Sequence, residues 1–158
     1  MKTDWLMHRW KWTLAVLPLL VLMGVVLHMQ RSIHIIQAES FPTKVFARWV
    51  TWDLDIAATN ADRTLGLGER DSYPENRAML FLFPYPDRYG FWMKGMRFPI
   101  DIIFLSKGRV ISIERSLQPS DDRIVMPPEP ADQVLEVNAG KARHLSPGDR
   151  VWYWRPFF

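Results

Sequence analysis

The stretch GFWMKGMRFPIDIIFL, Gly90 to Leu105, sets two residues that could do chemistry, Lys94 and Asp101, among large apolar side chains. A carboxylate near an ammonium group can work as an acid–base couple, its pKa set by burial and by its neighbour, or it can simply lock two strands together. If GFWMK and PIDIIFL pair as a hairpin through Gly95 to Phe98, Trp92 lies opposite Asp101. Trp92, Lys94, Asp101 and Ile103 then share one face, because side chains alternate along a strand. Lys94 and Asp101 become diagonal neighbours with Cα atoms roughly 7–8 Å apart, within reach of a long side chain. Two readings stay open, a structural or specificity-giving ion pair and a direct part in a ligand site. A buried ion pair contributes little net stability, so stability alone is a poor reason to keep one.

Other chemistry is sparse. Glu136 and His144 are the groups that could complete an acid–base site with Asp101, although His144 follows Arg143 in a short turn where a surface histidine is the plain expectation. Asp121 and Asp122 could meet a cation, but adjacent carboxylates in a loop are ordinarily solvated. The tetrapeptide SPGD reads as turn chemistry: Pro147 and Gly148 suit a tight turn, and Asp149 can bond nearby backbone amides. There is no Gly-x-Ser-x-Gly elbow, His-Glu-x-x-His helix or phosphate loop. Cysteine is absent, which excludes disulfides, a thiolate nucleophile, covalent haem attachment and cysteine-based zinc sites. No residue is assigned a catalytic role, and neither a metal nor a cofactor is expected.

The elements that must position these residues begin after an apolar run. From Trp12 to Gln30 no residue is charged apart from a histidine. As a helix this run is about 28 Å long, close to the thickness of a bilayer core. Lys2, Arg9 and Lys11 precede it and only Arg31 follows closely, so the positive-inside tendency leaves residues 1–11 in the cytoplasm and the rest outside. A cleaved signal peptide is the alternative, but its best cutting site, Ile36-Gln37-Ala38, has a bulky residue where a small one is wanted. The expectation is a single transmembrane anchor over 12–30, a tether over 31–43, and an exported domain over 44–158. Beyond Arg31 the chain is formally neutral, so the basic balance of the whole sequence reports topology and does not point to nucleic acid.

Within that domain, KVFARWVTWDLDIA alternates with a period near two and reads as one long strand. Thr59 or Asn60 can cap a short helix running to Leu67, and MLFLF is a brief strand closed by the turn-rich PYPDRYG. Lys107-Gly108 turns a hairpin, the four prolines between Leu117 and Asp132 make a loop, QVLEV is a strand, NAGKARHL forms a helical turn or two, and RVWYWRPFF is the last strand. Six or so short strands with one or two small helices and no regular βα alternation predict a mainly β (α+β) domain, a compact antiparallel barrel or sandwich. Trp92, Trp152, Phe81 and Phe83 are the expected core bulk; Trp152 and Trp154 share a strand face that could instead be a ligand platform.

The run GFWMKGMRFPIDIIFLSKGRVISI resembles the signature of the prokaryotic family catalogued as domain of unknown function 192. RTLGLGERDSYPENRAMLFLFP is similar to that family's upstream helix, Gly-Leu segment and strand, and VLEVNAGKARHLSPGDRV to its closing elements. The resemblance places the characteristic positions on Phe91, Trp92, Met93, Lys94, Pro99, Asp101, Glu136, Gly140, Gly148 and Asp149. Gly95 stands where the family usually has Asn, Gly68 where Met commonly follows Gly-Leu, and the proline-rich loop lacks cysteines that some relatives carry. What the resemblance implies is a compact, mostly β fold in exported proteins, with no reaction attached.

Two functions follow as expectations. One is a binding or interaction module at the cell envelope, tied to the cytoplasmic membrane through residues 12–30, whose domain on the periplasmic or extracellular side meets an envelope protein or a small ligand. The other is an envelope enzyme using acid–base chemistry at Asp101 and Lys94.

Overall fold

The computed structural model describes residues 20–29 and 41–154. The chain divides into two units, up to Phe41 and from Pro42 onward. The tail over 1–11, most of the tether over 31–43, and residues 12–19 and 30 of the anchor expected over 12–30 lie outside the described residues. The described part of that span, α1 (residues 20–29), is helical and exposed. Among the described residues no helix is long and apolar enough to cross a membrane.

The second unit contains β1 (Lys44–Ala47), β2 (Val50–Ala57), α2 (Asn60–Leu65), β3 (Arg77–Asp87), β4 (Ile100–Ser106), β5 (Arg109–Leu117), β6 (Ala131–Asn138) and β7 (Val151–Trp154). They form one curled sheet of seven strands in the order β5-β4-β6-β3-β2-β1-β7. The mainly β expectation stands, but the sheet is mixed. β2 and β3 run parallel, Asp53 facing Arg77 and Ala57 facing Phe81, because α2 carries the chain back across the sheet between them. The other pairings are antiparallel, as expected; the one parallel pair was not legible, because a local alternation pattern carries no information on the direction of a partner strand.

Two further expectations are corrected. KVFARWVTWDLDIA is two strands, with Ala47 paired to Val50 across a tight turn in which Arg48 takes a φ of 52°. That turn has no Gly, Asn or Pro to announce it, and the alternation runs straight through it. The MLFLF strand continues into PYPDRYG as far as Asp87, with a register shift between Leu82 and Asp87.

Both faces of the sheet are covered. One layer joins residues from all seven strands, among them Val45, Trp52, Leu80, Ile103, Val110, Leu135 and Val151. The other packs Met79, Phe81, Ile102, Phe104 and Val134 beneath Leu67, Tyr73, Phe91, Met93 and Val125, which lie outside the named strands. β4 lies between β5 and β6, and every residue from Ile100 to Leu105 is buried. Its alternating side chains feed the two layers in turn. Trp152, expected in the core, is exposed beside Phe46, its partner across the β1–β7 ladder, and Trp154 is exposed as well.

The β4–β5 hairpin turns at Lys107 and Gly108, with φ of 50° and 70°. Two successive left-handed residues make the primed turn that matches strand twist, and asparagine tolerates that conformation better than lysine. Lys107→Asn is therefore expected to raise stability by about 0.5 kcal/mol, read as a higher urea midpoint with the slope unchanged.

Candidate functional site

A cleft of about 330 Å³ opens on the second layer, between α2, the 66–68 segment, the end of β3 and residues 89–96. Local sequence explains its shape. Thr59 caps α2 by accepting the Asp62 N–H at 3.2 Å, while the Asp62 carboxylate accepts the Thr59 N–H at 3.1 Å, a reciprocal capping box. The helix stops at Gly66, whose φ is 52°, and whose N–H donates to Asp62 O at 2.8 Å. A Cβ there would lie 3.2 Å from Phe81 Cζ and 3.7 Å from Glu136 Oε2, so this position needs glycine both for its conformation and for the close approach of the chain to the cleft floor.

The floor is Glu136 of β6, set between Met79 of β3 and Ile102 of β4 and only 5% exposed. Burial pushes its carboxyl up to about 8, opposed by a hydrogen bond from the Leu67 backbone. Its Oε2 has no hydrogen-bond partner among the described residues. The walls are aromatic. Phe83 and Tyr89 stack with centroids 3.7 Å apart, and Phe91 meets Phe81 edge-on at 5.1 Å. Arg63 lies over the Phe83 ring, and its guanidinium donates to Ala58 O at 2.5 Å, Leu82 O at 2.7 Å and Asn60 Oδ1 at 2.5 Å.

The signature stretch supplies the remaining wall, and not as a hairpin. Phe91 makes a single bridge to Val125, residues 92–99 are irregular, and β4 begins only at Ile100. The Met96 N–H donates to Met93 O at 3.0 Å, closing a turn with Gly95 at a φ of 81° and open space where its Cβ would be. That turn tucks Met93 into the core and sends Lys94 outward. Its conformation also accounts for the departure at Gly95, since asparagine is the other residue that readily takes a positive φ. Glu69 N–H donates to Gly95 O at 2.9 Å and ties the two walls together.

The expected Lys94–Asp101 pair does not form. Asp101 is fully buried, shares a face of β4 with Ile103 and Leu105, and spends its oxygens on the Ser116 N–H at 2.8 Å and the Ala142 N–H at 3.0 Å. Glu136 and its neighbour Ile102 belong to the opposite face. Lys94 lines the cleft and takes no part in the ion pairs of the described residues. Hence Phe91, Trp92, Lys94 and Glu136 of the signature meet at the cleft, Met93 is core, and Pro99 and Asp101 lie elsewhere. Trp92, expected in the core, is 47% exposed at the cleft wall.

His144 lines a separate hollow with Trp49 and Lys141, and Asp121 pairs with Arg123 at 3.1 Å. Asp149 accepts the Ser146 N–H at 2.7 Å, as turn chemistry requires. Among the described residues no three acidic or histidine side chains gather as a metal site. Arg63, Phe83 and Tyr89 are cleft residues that sequence reasoning passed over as site candidates. The one available signal was the placement of α2 immediately before the Gly-Leu segment, which brings Arg63 to the same end of the sheet.

A curled mixed sheet with one aromatic cleft over a buried glutamate describes the class of domain. The domain-of-unknown-function 192 family (DUF192), described as "Uncharacterized ACR", matches residues 42–153, and the chain belongs to it. Among solved structures it is similar to a protein of unknown function from Novosphingobium aromaticivorans. That likeness has 32% identity and a TM-score of 0.65, over 72% of this chain and 84% of that one. It is also similar to a Sinorhizobium meliloti protein described as a candidate transcription regulator, with 28% identity and a TM-score of 0.65 over 70% of this chain and 90% of that one. No curated protein matches the chain.

Proposed function

We propose that the chain is a membrane-tethered binding module of the cell envelope whose cleft takes a small ligand over Glu136. The observation that carries the binding reading is the unpartnered Oε2 of a buried glutamate at the cleft floor. Orphaned buried polar atoms are costly and rare in native proteins, and a cleft with apolar walls and one convergent polar group is the usual form of a ligand site. The tether reading is supported by the uncharged run over 12–30 and its basic N-terminal flank. An enzyme built on Asp101 and Lys94 has less support, because the two lie on different sides of β4 and the carboxylate is already filled by backbone amides. Regulation of transcription, the description attached to one relative, finds no support in the formally neutral balance of the chain beyond Arg31.

The test uses the full chain in nanodiscs with a small-molecule extract of the envelope. A compound present at about 100 times its Kd adds about 2.7 kcal/mol of stability. The melting temperature of the wild type should rise accordingly, and that of Glu136→Leu, which fills the floor with an apolar side chain, should not. A C-terminal tag should be cut by protease added to intact spheroplasts. Equal thermal shifts in both proteins would remove the binding site, and a shielded tag would remove the envelope placement.

A further inference from the structure

We propose that the ligand of this cleft is a zwitterionic amino compound of amino-acid size, its ammonium group held by Glu136, its anionic group by Lys94, and its apolar body against the Phe83–Tyr89 stack and Trp92. This deepens the cleft reading above and rests on it. Three charged side chains line the cleft: Arg63, Lys94 and Glu136. Arg63 is committed, its guanidinium shared among Ala58 O, Leu82 O and Asn60 Oδ1. That leaves one uncommitted acid at the floor and one uncommitted base on the wall, with no ion pair between them.

A single ligand that offers a cation to one and an anion to the other satisfies both. A carboxylic acid alone would bring a second acid to Glu136, and an amine alone would leave Lys94 without a partner. Aromatic faces beside an ammonium group add cation–π attraction. The volume suits a ligand of this size.

The protonation of Glu136 gives the proposal a signature. The elements packed against it present Met79 from β3, Ile102 from β4 and the Leu67 amide. The other charged or titratable groups around the cleft are Arg63 on α2, Tyr85 on β3, Tyr89, and Lys94. In the empty cleft the Glu136 carboxyl holds its proton up to about pH 8. Capture of an ammonium group requires the carboxylate, so that proton leaves to solvent on binding. Affinity should then rise about tenfold per pH unit up to about pH 8 and level off above it.

Isothermal titration of the full chain in nanodiscs with four probes sharing one ring tests this: L-phenylalanine, phenethylamine, 3-phenylpropionate and 3-phenylpropionamide. Phenylalanine should bind best and phenylpropionate at least about tenfold more weakly, the difference expected of one well-placed charge contact. Lys94→Met should bring phenylalanine down to the level of phenethylamine, and Glu136→Gln should abolish binding of both amines along with proton release. If the amide or the acid equals phenylalanine, or if affinity falls as pH approaches 8, the ligand class is wrong while the cleft reading stands. The class is equally overturned if no probe binds although the envelope extract still separates wild type from Glu136→Leu. Failure of both experiments removes the site altogether.

Discussion

Stability should fall by about 3 kcal/mol as pH rises from 5.5 to 8, and Glu136 should account for nearly all of it. The folded protein keeps a proton on this carboxyl until about pH 8, whereas the unfolded chain releases it near the ordinary value of 4.5. Between those two values the native state binds more protons than the unfolded state, so raising pH favours unfolding. The contribution is complete below the unfolded value and is lost as pH climbs through the folded one.

Other perturbed carboxyls move the opposite way. Asp53, Asp62 and Glu75 lie below their usual values, held there chiefly by hydrogen bonds from Lys44, Thr59 and Lys141. Asp55 is also lowered: burial resists its ionisation, but Arg77, Tyr73 and Arg70 outweigh that. The stability these groups give is lost only in acid, below the chosen window. Urea unfolding of the wild type and Glu136→Gln at both pH values checks the assignment. The wild type should lose its margin while the glutamine variant stays level, and parallel losses in the two proteins would contradict the assignment.

Asp101→Ala is expected to cost about 3–5 kcal/mol, with Asp101→Asn at roughly half that. The reason lies in β5. Its register against β4 shifts between Ile100 and Ile102, and the extra residue forms a bulge in which Ser116 takes a φ of 50°. The Ser116 N–H, turned away from the ladder, is taken by one Asp101 oxygen, and the Ala142 N–H by the other. Arg115 closes the same corner by donating to Ala142 O and Leu145 O, both at 2.8 Å.

Alanine at 101 orphans the buried Ala142 amide and the part-buried Ser116 amide at once, and asparagine turns one acceptor into a donor facing an N–H. Urea unfolding should show the loss at an unchanged slope, together with earlier hydrogen exchange at Ser116 and Ala142. A loss under about 1 kcal/mol would mean that these amides find other partners. Asp101 thus serves as an internal clamp, which is why a charge sits in a strand buried on both faces.

The contrast between these two acids shows what could be read from sequence. The hairpin at Lys107-Gly108, the cap at Thr59 and the strand holding Glu136 all rest on short-range rules, and all are present. The stretch from Gly90 to Phe98 looked equally strand-like because it is rich in Phe, Trp and Met. Its apolar residues are buried by lying across the sheet, which composition cannot distinguish from pairing within it. That error joined Lys94 to the wrong carboxylate. Asp101 and Glu136 sit on neighbouring strands, with Asp101 opposite Val137 and Ile102 opposite Glu136, and a one-residue offset in register decides which acid faces the cleft. Glu136 was a candidate as an acid–base partner and as a position of the family signature, while its burial and free oxygen depend on the Gly66 turn passing over it.

The curl of the sheet has a consequence for the molecule among its neighbours. Its two outermost strands, β5 and β7, come together where Val110 N–H donates to Asp149 O at 2.9 Å, Gly148 N–H to Val110 O at 2.8 Å and Val151 N–H to Gly108 O at 2.9 Å. Rows of unsatisfied amides at a sheet margin invite a second chain to add itself and start an aggregate. Here the two margins consume one another at their starting residues, so that stretch of backbone has nothing to offer a passing copy. Closure of the curl thus withdraws a template for strand addition without spending charged side chains on repulsion.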